Sequence, residues 1–186
     1  NNDIAPYGLV YDLITNHNIP VYWIIDPNKS FVSTTNKTDQ IDITVTGTTT
    51  RTGSTSITKS LSTGPFLIPA EYVQDAYAVI EQWQSNRSGL TVYWNLDAIT
   101  NAPIEGVITT FPEAVVYPKD NNTSKTTDIE KGFYIPAGIT GTVTRALPTD
   151  IKSCNQIYIL SHHTDPEENW DSDDIDALYD FVIDGG

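Results

Sequence analysis

The chain of 186 residues lacks several features that identify common protein classes. Its one cysteine, Cys154, cannot form an intrachain disulfide, so the sequence leaves the redox compartment open. Ten Lys and Arg face 24 Asp and Glu, and the formal net charge of −14 disfavours binding to nucleic acid or anionic lipid. No apolar run approaches the roughly 18 residues that cross a bilayer. Neither G-x-x-x-x-G-K-[ST] nor G-x-G-x-x-G occurs, and we predict no cofactor.

Methionine is absent and the chain begins Asn-Asn, which predicts a processed product or an excised domain. The N-x-S/T pattern of glycosylation occurs five times, and it favours a secreted or cell-surface location. In a chain rich in Asn, Ser and Thr, several such matches arise by chance. The five candidates are Asn28, Asn36, Asn86, Asn121 and Asn122.

Apolar residues recur with helical spacing in segments 5–17 and 70–84 and again after Asp171. In the last helix Asp171 is the predicted cap, and the predicted buried stripe is Ile175, Leu178, Tyr179 and Val182. A further short helix is predicted around 127–134. Short apolar runs predict strands at 21–25, 90–96, 106–110, 113–118 and 156–160, with a strand or turn at 64–69.

Strands that alternate with amphipathic helices are typical of an α/β domain with a mostly parallel sheet. The run from 64 to 96 reads strand, helix, strand, which predicts a right-handed crossover and a parallel pair. We therefore predict one α/β domain spanning 1–186. Since the chain opens with a helix, a strand is expected before residue 1.

Segment 33–63 differs from the rest, because it is rich in Thr and Ser with few apolar residues. Ile41, Ile43 and Val45 alternate with polar residues, and Gly47 and Gly53 follow. This pattern predicts a β-hairpin or a mobile insertion that is exposed on at least one face. One interpretation is a solvent-exposed insertion without a binding role. The other is a strand edge in 41–61 that pairs with a neighbouring molecule.

Four stretches together resemble a known kind of domain: PYGLVYDLI (6–14), NIPVYWIIDPNKS (18–30), GPFLIP (64–69) and CNQIYILSHHTDP (154–166). They are similar to a domain of large secreted bacterial surface proteins that is related to class I glutamine amidotransferases. The resemblance implies a three-layer, flavodoxin-like α/β fold, here with a Thr-rich β-hairpin insertion. In the amidotransferase group a nucleophilic Cys follows a helix that ends in Gly-Gly. Here the corresponding strand and elbow would fall after Gly186, so the nucleophile position either lies beyond residue 186 or never existed.

The segment between the last strand and the last helix is the candidate ligand loop. In α/β proteins, ligands bind beyond the carboxyl ends of the strands. Its candidate residues are His162, His163, Asp165, Glu168 and Trp170. Cys154 lies about eight residues before His162, roughly 26 Å in extended chain, so a Cys–His dyad is not expected.

The acidic residues of this region are weak calcium candidates, namely Glu167, Asp171 and Asp173. The alternative is helix capping, because carboxylates are favoured at helix N-termini. The spacing of the two His residues matches no zinc signature, and adjacent residues of an extended chain point to opposite faces. We therefore predict no metal.

These observations favour a secreted or cell-surface structural, adhesive or assembly module with no catalytic activity of its own. Its expected partner is another protein or a second copy of this chain, bound through the β segment 41–61. One alternative is an amidotransferase-like hydrolase that uses the loop 161–171. Another is a cation-dependent ligand-binding domain.

Overall fold

The computed structural model describes residues 4–29, 40–87, 89–95, 97–116, 130–139, 144–160 and 170–184. They belong to two compact units, residues 1–110 and residues 111–186, and we describe each unit by itself. Among the described residues, no helix has the length and apolar character to span a membrane.

The first unit contains two helices, five strands and a 3-10 turn within its described residues. In chain order they are α1 (Ala5–His17), β1 (Val21–Ile24), β2 (Ile41–Gly47), β3 (Ile57–Ser62), β4 (Phe66–Leu67), the turn Ala70–Tyr72, α2 (Val73–Asn86) and β5 (Ile104–Ile108). The predictions of α1, α2 and β1 are confirmed to within three residues at each end.

Helix α1 begins and ends where its sequence dictates. Pro6 lies in the first turn, where a backbone N–H is not needed. Asn18 adopts the left-handed conformation after the last turn and donates its backbone N–H to the Leu13 carbonyl. Leu13 and Ile14 then face Val79 and Ile80 of α2 in one apolar core.

The two sheets of the first unit are antiparallel. Strand β1 lies between β4 and β5 in a three-stranded sheet, and β2 pairs with β3 in a hairpin. The hairpin agrees with the alternation of residues 41–45. In contrast, residues 90–95 form no strand: Trp94 makes only an isolated antiparallel bridge to Thr48. The predicted parallel pair in 64–96 is therefore wrong.

The second unit holds the parallel sheet, in the order β7-β6-β8. Its elements are β6 (Ala114–Val116), a π-helical turn (Glu130–Tyr134), α3 (Ile135–Ala137), β7 (Thr144–Arg145), a 3-10 turn (Pro148–Asp150), β8 (Ile157–Ile159) and α4 (Ser172–Ile183). Strand β6 is buried throughout, as expected for the central strand of a parallel sheet.

The predicted fold class is corrected by these sheets. The described residues form a mixed α/β structure with four helices and three small sheets, two antiparallel and one parallel. This arrangement is not a three-layer, mostly parallel flavodoxin-like sheet. The physical reason lies in the first unit, where β4 and β5 both run antiparallel to β1.

The predicted buried stripe of α4 is also largely wrong. Ile175, Tyr179 and Val182 are 49%, 65% and 60% exposed. The face turned inward carries the buried Asp174 with the half-buried Leu178 and Phe181. Two contacts select this face: Thr149 donates its hydroxyl to Asp174 over 3.2 Å, and the Phe181 ring lies 6.5 Å from that of Tyr158.

Candidate functional site

Most of the predicted ligand loop lies outside the described residues. This applies to His162, His163, Asp165, Glu167 and Glu168. Trp170, which follows directly, is half-buried. The ligand role proposed for these side chains stays a prediction.

Asp171 serves as the N-cap of α4, as its sequence predicts. Its carboxylate accepts the backbone N–H of Asp174 over 3.0 Å. Asp173 is exposed in the first turn, where the helix dipole favours a negative charge. Within the described part of the chain, no three His, Cys, Asp or Glu side chains form a group that could hold a metal ion.

Cys154 lies in the turn before β8, with its thiol exposed. The thiol donates to the Glu113 carboxylate over 3.4 Å. The thiol is therefore in contact with a carboxylate and not with an imidazole in this interaction.

Two of the five glycosylation candidates are described, and both are exposed. Asn28 follows β1, and its side-chain amide donates to the Asp26 carboxylate over 3.2 Å. Asn86 is the last residue of α2. The other three candidates, Asn36, Asn121 and Asn122, lie outside the described residues.

The hairpin β2–β3 presents the most continuous exposed polar surface of the first unit's strands. All six residues of β3 are exposed except Leu61, which is half-buried. On one face, hydroxyl groups meet across the strands in two rungs: Thr44 with Ser60 at 3.1 Å and Thr46 with Thr58 at 2.9 Å. This face is a small, regular array of groups that both donate and accept hydrogen bonds.

The turn end of the hairpin is fixed to the unit by Trp94. Thr48 and Trp94 exchange two backbone hydrogen bonds of 3.0 and 2.7 Å. The approach is so close that a Cβ on Gly47 would lie 2.4 Å from the Trp94 carbonyl oxygen. Glycine at position 47 is thus required by packing, where the sequence indicated only a turn.

Side chains strengthen this attachment. The Arg51 guanidinium lies 4.4 Å from the centre of the Tyr77 ring on α2 and donates to Gln74 over 3.1 Å. The Tyr77 ring in turn meets Trp94 edge to face at 5.7 Å. The Tyr77 hydroxyl donates to Glu81, and this hydrogen bond raises the pKa of Tyr77 above its usual value.

The base of the hairpin is fixed by Asp42, whose side chain is fully buried. Its carboxylate accepts three hydrogen bonds. They come from the Lys29 ammonium at 2.6 Å, the Gly64 backbone N–H at 2.8 Å and the Asp26 backbone N–H at 3.0 Å. We call these four residues the Asp42 clamp. Burial opposes ionisation of Asp42, but the Lys29 ammonium and the two N–H donors outweigh it and hold the pKa of Asp42 below its usual value.

Sequence reasoning missed the Asp42 clamp because Asp42 fits the alternation that predicts β2 and so is expected on its polar, exposed face. In ideal alternation, Asp42 lies on the face opposite Ile41 and Ile43 and points to solvent. The pairing of β2 with β3 shifts register between Ile41 and Ile43, and such a shift turns the intervening side chain. The one available signal was an acidic residue inside an otherwise uncharged strand.

Comparisons of the chain with protein-family models, with curated proteins and with solved structures find no match. The resemblance to the amidotransferase-related domain of secreted surface proteins therefore stays a prediction. It rests on the four sequence stretches alone.

Proposed function

We propose that this chain is a secreted or cell-surface module that acts by adhesion or assembly, without catalysis of its own. The hairpin β2–β3 is its contact surface for a protein partner. The observation that carries the proposal is strand β3, which is exposed at five of its six residues while both ends of its hairpin are fixed.

A fixed, exposed hairpin suits protein recognition for two physical reasons. The outer edge of a strand offers backbone donors and acceptors that an extended segment of a partner can pair with. Because Asp42 and Trp94 hold the hairpin in place, binding orders few additional groups, and less conformational entropy is lost.

The location is tested by labelling intact producer cells with a biotin reagent that modifies amines and does not cross membranes. Lys59 on β3 is exposed and offers a reactive amine. We expect the labelled protein on the cells or in the medium. Recovery of the protein only from the cell interior, unlabelled until lysis, contradicts the proposal.

The contact surface is tested by binding of the purified protein to producer cells. The variant Thr58→Lys/Ser60→Lys adds two charges beside the Lys59 that β3 already carries, and a more highly charged edge resists strand pairing more strongly. We expect binding to fall about tenfold, which corresponds to 1.4 kcal/mol. The matched control, Thr91→Lys/Thr100→Lys, changes two exposed threonines outside the hairpin by the same charge. Equal binding by both variants rules out the hairpin as the contact surface.

A further inference from the structure

The outward face of α4 is more apolar than the face that packs inward. The inward face holds the buried Asp174 with the half-buried Leu178 and Phe181. The outward face carries four apolar side chains that are between 49% and 66% exposed, namely Ile175, Tyr179, Val182 and Ile183. Helical spacing of apolar residues normally indicates a buried face, so this face has the pattern of a contact that α4 leaves open.

The four apolar side chains form one continuous surface along the helix. Residues that are four positions apart in an α helix lie above one another on the same face. Ile175, Tyr179 and Ile183 therefore form a row, and Val182 lies beside it. A continuous apolar surface of a few hundred Å² on one molecule is often an interaction site.

A row of carboxylates runs beside this apolar row. Asp176, Asp180 and Asp184 each follow a residue of the apolar row by one position, which places them about 100° further around the helix. All three are exposed, and α4 contains no Lys or Arg. We call the two rows together the α4 strip.

The acidic row defines the chemistry of what can cover the apolar row. Charged side chains that flank an apolar seam between helices select the partner by pairing with opposite charges. A surface with Lys or Arg along one side of an apolar face is complementary to the α4 strip, whereas another acidic surface is repelled. An anionic lipid surface is repelled for the same reason.

This chain does not supply such a surface as a helix. It has ten Lys and Arg, and the closest of them, Lys119, Lys125 and Lys131, are six positions apart. Cations that line one side of a helix recur at about three or four positions. The complementary helix therefore belongs neither to another segment of this chain nor to a second copy of it.

We propose that the α4 strip docks a basic amphipathic helix of another protein. The apolar face of that helix covers Ile175, Tyr179 and Ile183, and its Lys or Arg residues lie over Asp176 and Asp180. Recognition of an amphipathic helix by an apolar surface is a common mode of binding. The inference goes beyond the proposed function and does not depend on it, because it uses a different surface and a helical partner.

The size of the surface sets the expected strength of binding. One face of a single helix is a small interface, and we expect a Kd of roughly 1–100 µM. Exposed ion pairs are screened by dissolved salt. Binding should therefore weaken about threefold to tenfold between 0.05 M and 0.5 M NaCl.

The probe is a synthetic peptide of about 18 residues, long enough to form a helix, in which Leu recurs at helical spacing beside a row of Lys. The control peptide has the same composition in an order that gathers Leu on no face. We expect the full chain to bind the amphipathic peptide at least about tenfold more tightly, as measured by calorimetry. Equal binding of the two peptides, or none at 1 mM, overturns the proposal.

A charge-neutral variant tests the apolar row. Tyr179→Gln/Ile183→Gln removes two exposed apolar side chains and leaves the charge unchanged, and Gln is well tolerated in helices. We expect it to weaken binding of the amphipathic peptide about tenfold. The matched control, Tyr7→Gln/Ile104→Gln, replaces an exposed Tyr and Ile of the first unit and should bind as the wild type does. Equal binding by both variants rules out the α4 strip.

A second pair of variants tests the acidic row. Asp176→Asn/Asp180→Asn should weaken binding about threefold to tenfold at 0.05 M NaCl and reduce its dependence on salt. Asp75→Asn/Asp97→Asn removes the same charge from two exposed positions outside α4. Losses of the same size in both variants would mean that the overall charge attracts the peptide, and they overturn the basic partner.

Two further measurements test other occupants of the α4 strip. Sedimentation velocity of the wild type tests a second copy, and flotation with vesicles of phosphatidylcholine tests a membrane. Self-association or flotation that is lost in Tyr179→Gln/Ile183→Gln overturns the proposal. A monomeric chain that stays in solution with these vesicles and binds the amphipathic peptide supports it.

Failure of this inference is distinguishable from failure of the proposed function. If the hairpin variant Thr58→Lys/Ser60→Lys loses binding to producer cells while the chain does not discriminate between the peptides, only the α4 inference fails. Peptide binding that depends on Tyr179 and Ile183, in a chain whose hairpin variant binds cells normally, supports the α4 inference and rejects the hairpin surface.

Discussion

Asp42 is the residue on which the hairpin base depends. It joins three separate segments of the chain, because its partners are Lys29, Gly64 and Asp26. Replacing it removes the buried carboxylate that accepts from the Lys29 ammonium and from two backbone N–H groups, and broken buried pairs are strongly destabilising. We expect Asp42→Ala to lower the free energy of unfolding at pH 7 by about 3–5 kcal/mol, as measured by urea denaturation. Asp97→Ala, at an exposed position, is the control.

The same clamp has a defined pH dependence. The folded pKa of Asp42 is depressed, so its contribution to stability is present above the unfolded value of about 3.9 and is lost as pH falls through the folded pKa. The stability difference between the wild type and Asp42→Ala should therefore shrink from pH 5 to pH 2. A difference that stays constant over this range contradicts the assigned role of the carboxylate.

Gly47 and Gly106 form a natural pair of substitutions, since both are glycines of β strands. A methyl group at Gly47 would meet the Trp94 carbonyl, whereas one at Gly106 meets nothing within 4 Å. We expect Gly47→Ala to cost about 1–3 kcal/mol, as overpacking does. Gly106→Ala should be neutral to within about 0.5 kcal/mol. Equal losses in urea midpoint would contradict the close approach of Trp94 to β2.

Helix α4 tests packing at the scale of an element. Leu178 lies on its inward face, while Val182 is 60% exposed on another. We expect Leu178→Ala to destabilise the protein by about 2 kcal/mol, the lower end of the range for leucine truncation in a core. Val182→Ala should change stability by less than about 0.5 kcal/mol, because an exposed site gains helix propensity and loses little packing. A larger loss of stability in Val182→Ala than in Leu178→Ala would support the buried stripe that the sequence predicts and contradict the inward face described here.

The helices were easier to predict from the sequence than the residues against which they pack. Local signals suffice for α1, since Pro6, the apolar stripe and Asn18 all act within 13 residues of one another. The cap of α4 is equally local, because Asp171 and Asp174 are three residues apart. The buried face of α4 was missed, since Thr149 and Tyr158 select it and both are distant in sequence.

The relative direction of the strands also could not be predicted from the sequence. Parallel pairing was inferred for 64–96 from a strand–helix–strand pattern, yet β4 and β5 both run antiparallel to β1. Apolar runs of four to six residues predict a strand without predicting which strand lies beside it. The candidate site shares this limit, because the Asp42 clamp joins residues 22 positions apart in the chain.

For the whole molecule, charge dominates the behaviour in solution. Between Asp165 and Gly186 the chain has nine Asp and Glu and no Lys or Arg. Self-repulsion of this kind opposes the compact state, and dissolved ions screen it.

We expect the melting temperature to rise by about 2–4 °C between 0.02 M and 0.5 M NaCl, equivalent to roughly 1 kcal/mol. The exposed residues Asp173, Asp176 and Asp180 permit a matched test. The triple variant that carries Asn at all three positions should gain less from salt than the wild type. An equal gain would show that salt acts on the protein by other means than screening these charges.

The two attachments of the hairpin have a mechanical consequence. The backbone hydrogen bonds of β2 and β3 run perpendicular to the strands. Asp42 holds one end of β2 and Trp94 holds the other, so a force applied along β3 loads all of these bonds together, in shear. A hairpin tethered at one end alone would peel open rung by rung under the same load.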